Sequence, residues 1–224
     1  MRKGNEAMRF TRIIAGTITA GLVGLVPVAV SSPANAATPY TTVVAITAST
    51  PGVAYGDDIT IDGAVTDNTG GSASFGTATL QVYSTKNPVW TTVQTDDTAG
   101  SFIFFDVKPE SNAQYKVVYS GFTAANGDTY SASESAPVAV AVQRTDSLKT
   151  KGLSVIGKIK PDFAKKKVVI KRKQGKKYVS WKKIKTDNKG VFRFKAPNKR
   201  GFKFSVTIPS DTHYVGFTKL YYVY

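Results

Sequence analysis

The most chemically distinctive stretch of this sequence is a run of basic residues. AKKKVVIKRKQGKKYVSWKKIKTDNKG, residues 164–190, holds twelve Lys or Arg among 27 residues, and its only acidic residue is Asp187. Ammonium groups at this density attract polyanions as point charges, which points to an anionic cell-wall polymer or another extracellular polyanion. The residues that we expect to bind it are Lys165, Lys166, Lys167, Lys171, Arg172, Lys173, Lys176, Lys177, Lys182, Lys183 and Lys185.

A simpler explanation competes with this one, because the polar half of an amphipathic strand is also rich in lysine. Strand alternation would turn Val168 and Ile170 inward and Lys167, Lys171 and Lys173 outward. Lysines at a sheet edge also prevent aggregation. On this alternative the protein is a structural or protein-binding module, and its lysine surface only keeps it in solution.

Charge is divided unequally between the two halves of the chain. Residues 38–142 carry three basic and ten acidic side chains, whereas residues 143–224 carry 23 basic and four acidic ones. Such asymmetry favours a polyanionic partner for the second half. Lysine predominates over arginine there, which argues against sequence-specific nucleic-acid recognition. The acidic half could instead dock on the basic half and shield its charge.

The N-terminus has the composition of a secretory signal peptide. Basic residues precede the apolar run at 13–30, and Ala34-Asn35-Ala36 is an A-x-A cleavage site. We therefore expect residues 1–36 to be a signal helix, starting at Met1 or at Met8. Its removal would leave a secreted, extracellular chain without a transmembrane span, held non-covalently at the cell envelope. An uncleaved membrane anchor is the alternative.

Few residues in this chain suit catalysis or metal binding. The absence of cysteine excludes thiolate metal sites and cysteine nucleophiles. His213, the only histidine, has no motif partner that would make it a general base. Asp57, Asp58 and Asp62 cluster without the spacing of a calcium loop, and calcium binding by the acidic half stays open. We predict no enzyme activity, no catalytic residue, no cofactor and no metal site.

The two halves repeat one pattern of short strands. The segment ending at Phe104, ATLQVYSTKNPVWTTVQTDDTAGSFIF, matches the segment ending at Phe194, VVIKRKQGKKYVSWKKIKTDNKGVFRF. Upstream, ITIDGAV around Gly63 matches LSVIGKI around Gly157. Short β-rich runs separated by turn residues indicate antiparallel sandwiches. The predicted fold is all-β, with two tandem immunoglobulin-like sandwiches after the signal helix. The expected divisions are a signal peptide at 1–36, an acidic sandwich at 37–142, a linker at 143–150 and a basic sandwich at 151–224.

The repeated motif also resembles a known family. The motif consists of a Gly-containing strand, then W-x-x-V/I-x-T-D-x-x-G-x-F-x-F, then an aromatic strand. This order is similar to that of the bacterial immunoglobulin-like repeats of secreted and surface proteins, particularly those of actinobacteria. The resemblance covers the mature chain as two copies, the first with one extra residue before its Gly. It implies an extracellular spacer, adhesion or ligand-binding module without catalytic residues. Trp181, in register with Trp90, is expected in the core.

Overall fold

The structure, a computed structural model, describes residues 37–223. The predicted signal segment, 1–36, lies outside the described residues. Within residues 37–223 the chain forms nineteen strands and no helix. The strands of the first half are β1 (Pro39–Tyr40), β2 (Thr42–Ala48), β3 (Gly52–Ala54), β4 (Ile59–Asp67), β5 (Ala78–Ser84), β6 (Thr91–Asp96), β7 (Phe102–Val107), β8 (Ala113–Tyr119), β9 (Phe122–Thr123), β10 (Thr129–Tyr130), β11 (Ser133–Glu134) and β12 (Val138–Gln143). Those of the second half are β13 (Thr145–Lys151), β14 (Ser154–Lys160), β15 (Lys167–Gln174), β16 (Lys177–Lys185), β17 (Val191–Lys195), β18 (Lys203–Ile208) and β19 (Phe217–Tyr222).

The first half is a sandwich of two antiparallel layers. Strands β2, β4 and β7 form one sheet, and the other has the order β3-β12-β8-β5-β6, with β11 also paired to β8. All these pairs are antiparallel except β3 with β12, which run parallel. Alternating apolar residues from both sheets, including Ile61, Val65, Leu80 and Val117, are fully buried between them. Strands β1, β10 and β9 form a small third sheet.

The second half repeats this architecture with its own core. A sheet of β13, β14 and β17 belongs with a sheet of order β16-β15-β18-β19. Val168 and Ile170 of β15 are fully buried, as their alternation predicts, and pack in one cluster with Ile159, Phe192 and Val206. Burial of such side chains is the main source of stability in a chain without disulfides. The prediction of an all-β fold with tandem immunoglobulin-like sandwiches is confirmed.

The segment between the two cores differs from the expected linker. Residues 143–150 were predicted to be a short linker, whereas in the structure β13 occupies 145–151 and pairs with β14 along its whole length. Leu148 is its only large apolar residue, and it packs against the second core opposite Gly157. The strand is thus held by backbone pairing and by the packing of Leu148. Its sequence therefore shows little apolar alternation that could have predicted it.

The Gly shared by the two halves has a steric explanation. Gly63 in β4 pairs with Phe102, and Gly157 in β14 pairs with Phe192. A methyl group in place of the glycine hydrogen would come within 2.8 Å of the phenyl ring of Phe102 at the first position and within 2.2 Å of that of Phe192 at the second. Each core Phe ring therefore occupies the space that a side chain at the glycine would fill.

The two tryptophans occupy different environments. Trp181 packs against the second core, with its ring 6.0 Å from Phe194 and 5.3 Å from Phe202 between centroids, as expected. Trp90 lies outside the first core cluster, 5.7 Å from Tyr83. Their register in sequence therefore does not carry over to the structure.

Candidate functional site

The outer face of the β15–β16 hairpin carries five of the eleven predicted residues. Lys167 and Lys185 are direct cross-strand partners, and Lys183 lies opposite Val169. Every second residue of a strand points to the same side, so Lys171 and Lys173 share this surface. Like charges directly opposite each other repel. We call this surface, formed by Lys167, Lys171, Lys173, Lys183 and Lys185, the hairpin face.

Four predicted residues border the hairpin face without belonging to it. Lys176 and Lys177 are exposed at the tip of the hairpin. Arg172 has the opposite parity and is exposed at the end of the sheet. The Nζ of Lys182 lies 4.9 Å from the centroid of the Trp181 ring, and its side chain is half-buried. These four could extend the hairpin face but are not aligned with it.

The remaining two predicted residues precede β15. Lys165 is exposed in a turn, where its φ is 55°. Lys166 donates from Nζ to Oδ2 of Asp211 at 2.6 Å and lies 5.8 Å from the ring centroid of Phe163. Lys166 is thus committed to a contact within the protein.

A second basic surface lies on the other side of the same sandwich. The pairing of β13 with β14 and of β14 with β17 brings their outward residues into rows, such as Lys149, Ile156 and Arg193. Neither Lys149 nor Lys151 was among the predicted site residues, and Lys149 lay in the expected linker. We call this surface, formed by Lys149, Lys151, Lys158, Lys160, Arg193 and Lys195, the opposite face.

The acidic residues of the second half do not neutralise either face fully. All four carboxylates in residues 143–223 are already in ion pairs, namely Asp146 with Lys219, Asp162 with Lys86, Asp187 with Arg193, and Asp211 with Arg144 and Lys166. Within residues 37–223, no carboxylate of the first half pairs with a basic residue of the second. The hairpin face therefore has no internal counter-charge.

A buried arginine lies where the chain passes from the first core to the second. The side chain of Arg144 is fully buried, and its Nη2 donates to Oδ2 of Asp211 at 2.6 Å. Its Nε donates to the carbonyl oxygen of Pro161 at 3.0 Å. The guanidinium carbon lies 5.1 Å from the ring centroid of Phe163 and 4.4 Å from that of Tyr214. The sequence analysis missed this cluster, because Arg144 fell in the expected linker.

The loop between β18 and β19 ties the two halves together beside Arg144. The buried Tyr214 donates its hydroxyl to the carbonyl oxygen of Glu110 at 2.8 Å. The backbone N–H of Asn112 donates to the carbonyl oxygen of His213 at 2.8 Å. Nδ1 of His213 is buried without a hydrogen-bond partner in the described chain. These contacts make a specific junction, which we define by Arg144, Asp211, Tyr214, Glu110 and Asn112.

Charges at and beside the junction shift the pKa values of Asp211 and Asp162. Burial alone would raise the pKa of Asp211, but hydrogen bonds from Lys166 and Arg144 and the positive charge of Arg144 outweigh it. The pKa of Asp211 is therefore well below its usual value. A hydrogen bond from Lys86 likewise lowers the pKa of Asp162. Both residues stay ionised in the folded protein at neutral pH.

The described part of the chain offers neither a metal cluster nor a membrane-spanning helix. No three His, Asp or Glu side chains among residues 37–223 lie close enough together to hold a metal ion. Asp67 and Asp96 instead accept hydrogen bonds from Thr69 and Thr98 in their own turns. No helix in the same residues is long and apolar enough to span a bilayer.

Comparison with known proteins returns solved structures only. No family model and no curated protein matches the chain. A two-domain fibronectin type-III segment of chicken tenascin aligns with 10% identity over 80% of this chain and 98% of that one, with a TM-score of 0.44. The FN1–FN3 domains of chicken CNTN1 align with 12% identity over 82% and 67% of the two chains, with a TM-score of 0.33. The native conformation of Escherichia coli alpha-2-macroglobulin aligns with 8% identity over 81% of this chain and 16% of that one, with a TM-score of 0.35.

Proposed function

We propose that this protein is a non-enzymatic, secreted or envelope-associated module of the bacterial immunoglobulin-like type, whose second sandwich adheres to an anionic surface polymer through the hairpin face. The observation that carries the proposal is that, within residues 37–223, no carboxylate pairs with any of five aligned lysines, including the directly opposed Lys167 and Lys185. The first sandwich builds the corresponding strands, β5 and β6, without a single Lys or Arg. It would act as a spacer or contact a protein.

The energetic cost of the lysine surface supports this function. Opposed ammonium groups destabilise a strand pair by about 0.2–1 kcal/mol, and a net positive field adds self-repulsion across the sandwich. A polymer with closely spaced anions would relieve both effects by binding. Affinity would then fall steeply with salt, because each lysine that contacts an anion releases a condensed counterion.

The test is co-sedimentation of the chain from residue 37 to residue 224 with purified bacterial cell walls across a salt series. A hairpin-face variant carries K167E, K171E, K183E and K185E. A matched variant carries K149E, K158E, K160E and K195E on the opposite face, so the two variants have equal net charge. Both are checked for folding by circular dichroism. We expect the hairpin-face variant to lose retention by about tenfold or more while the matched variant keeps most of it.

Three other results would change the conclusion. Full retention of the folded hairpin-face variant would contradict the proposal. Equal loss by both variants would mean that the net charge of the sandwich binds the wall without a defined face. Salt-insensitive, saturable retention by a protein component would favour the structural or protein-binding alternative, with the lysines only keeping the chain in solution.

A further inference from the structure

A cleft opens at the end of the second sandwich that is remote from the junction. It has a volume of about 570 Å³ and lies between β13 and β19. Buried Val155 and Phe204 line it together with Leu148, and Arg200 and Asn198 are exposed beside it. The cleft is therefore an apolar slot with a cationic group at one end.

The last strand of each sandwich explains why the cleft exists. In the first sandwich, β12 pairs with β8 on one side and with β3 in parallel on the other, through Gly52, Val53 and Ala54. In the second sandwich, β19 pairs with β18 and, in the described chain, with no other strand. A single parallel bridge between Gln143 and Val215 marks where the chain leaves this edge before β13 begins. Among residues 37–223, no strand of the second sandwich occupies the position that β3 fills in the first.

We propose that the edge of β19 binds an extended acidic segment of a partner protein as an added parallel strand. An edge strand presents alternate N–H and C=O groups that a peptide can pair with, and adjacent pockets take its alternate side chains. The slot offers apolar walls for such side chains, and the 65% exposed Leu220 extends them on the outer surface. The site is separate from the hairpin face, so this proposal does not rest on the function proposed above.

Charge identifies the occupant as acidic and argues against pairing with the β19 of a second copy of this chain. Edge pairing of two β19 strands would bring together two sandwiches that each carry 23 basic and four acidic residues. An acidic segment is attracted by the same surface. The direction of the strands also determines where the acidic residues of the peptide would lie. In a parallel arrangement, the C-terminal end of the peptide lies beside the C-terminal end of β19. The N–H of Gly201 donates to the carbonyl of Val223 there, which holds Arg200 at that end.

The first sandwich supplies a probe with these properties. Residues 50–58, TPGVAYGDD, contain β3 and end in Asp57 and Asp58. The free peptide is titrated into the chain from residue 37 to residue 224, and binding is followed by fluorescence anisotropy of a labelled copy and by hydrogen exchange. We expect protection of backbone amides confined to β19 and the cleft. The same peptide N-methylated at alternate amides keeps its charge but cannot complete the strand pairing, and should bind at least about tenfold more weakly.

Two protein variants complete the test. R200E should weaken peptide binding by about tenfold, whereas K189E makes the same charge change in the turn before β17 and should leave it unaltered. R200E should also leave retention on cell walls unchanged, so failure here and failure of the proposed function are distinguishable. Equal binding of the N-methylated peptide, or protection of β15 and β16 in place of β19, would overturn strand addition. A dimer in sedimentation with β19 protected before peptide is added would assign the edge to a second copy and would also overturn it.

Discussion

The guanidinium of Arg144 is buried away from water, and its ion pair with Asp211 offsets the energetic cost of that burial. A buried charge whose partner is removed destabilises a protein by about 3–5 kcal/mol, because the remaining charge is neither hydrated nor paired. D211N keeps an oxygen that can accept from the backbone N–H groups of His213 and Tyr214 but has no charge for Arg144. We expect it to lower the free energy of unfolding by about 3 kcal/mol in urea denaturation.

The control for this prediction is D187N. Asp187 is exposed, and its carboxylate accepts from the backbone N–H groups of Lys189 and Val191, which an Asn oxygen can also do. Its ion pair with Arg193 is long, at 3.8 Å, and exposed on both sides. Such pairs contribute about 0–1 kcal/mol. Equal destabilisation by the two variants would show that the burial of Arg144 carries no special energy.

Asp211 and Asp162 determine how the stability of the protein changes in acid. The pKa of Asp211 and that of Asp162 are lower in the folded than in the unfolded chain, where an Asp titrates near about 4. Their contribution to stability is therefore complete above about pH 4 and is lost as the pH falls below it towards the depressed folded values. Urea denaturation at neutral pH and at about pH 3 should show this loss in the parent chain. D211N should lose less, and an unchanged pH dependence in that variant would contradict the assignment to Asp211.

At the scale of strands, the repeated glycine predicts a specific steric defect. In G157A the new methyl group would meet the ring of Phe192 at 2.2 Å, which requires the ring or the strand to move. Overpacking of this kind costs about 1–3 kcal/mol in the free energy of unfolding. F192L removes the aromatic ring from that position. The double variant G157A/F192L should therefore be destabilised by less than the sum of the two single changes, as measured by thermal denaturation. Strict additivity would show that the two residues do not interact.

Some features of the strands could be predicted from the sequence, and others could not. Strong alternation correctly predicted burial of Val168 and Ile170, because β15 is an inner strand of its sheet and both residues point into the second core. The environment of the tryptophans could not be predicted, since it depends on β-bulges. Trp181 is the extra residue in the pairing of β15 with β16, whereas Val93 is the extra residue between β5 and β6. A bulge moves side chains across a sheet without any change in residue pattern.

The candidate site was only partly visible in the sequence for a related reason. Alternation identifies which lysines share a face of one strand, and this placed Lys167, Lys171 and Lys173 correctly. It contains no information on contacts between distant segments. The ion pair that engages Lys166 with Asp211 joins residues 45 positions apart, and the junction joins Tyr214 to Glu110 across 104 positions. Pairings of this kind are set by the docking of whole loops.

At the scale of the whole molecule, the junction should couple the unfolding of the two sandwiches. Tyr214 is buried at the junction, donates to the carbonyl of Glu110 and lies against the guanidinium of Arg144. A specific buried contact of this kind is lost when either sandwich unfolds, so each should stabilise the other. The intact chain should therefore give one transition in differential scanning calorimetry. Y214A should give two, because the cavity and the lost hydrogen bond remove the coupling.

Y214F separates the two contributions to this coupling. It removes only the hydroxyl and leaves the carbonyl of Glu110 without this donor, while the ring still covers Arg144. Coupling through packing predicts one slightly broadened transition for Y214F and two for Y214A. Coupling through the hydrogen bond predicts two transitions for both variants. If Y214A still melts in one transition, the short chain connection between β12 and β13 holds the sandwiches together without help from the junction.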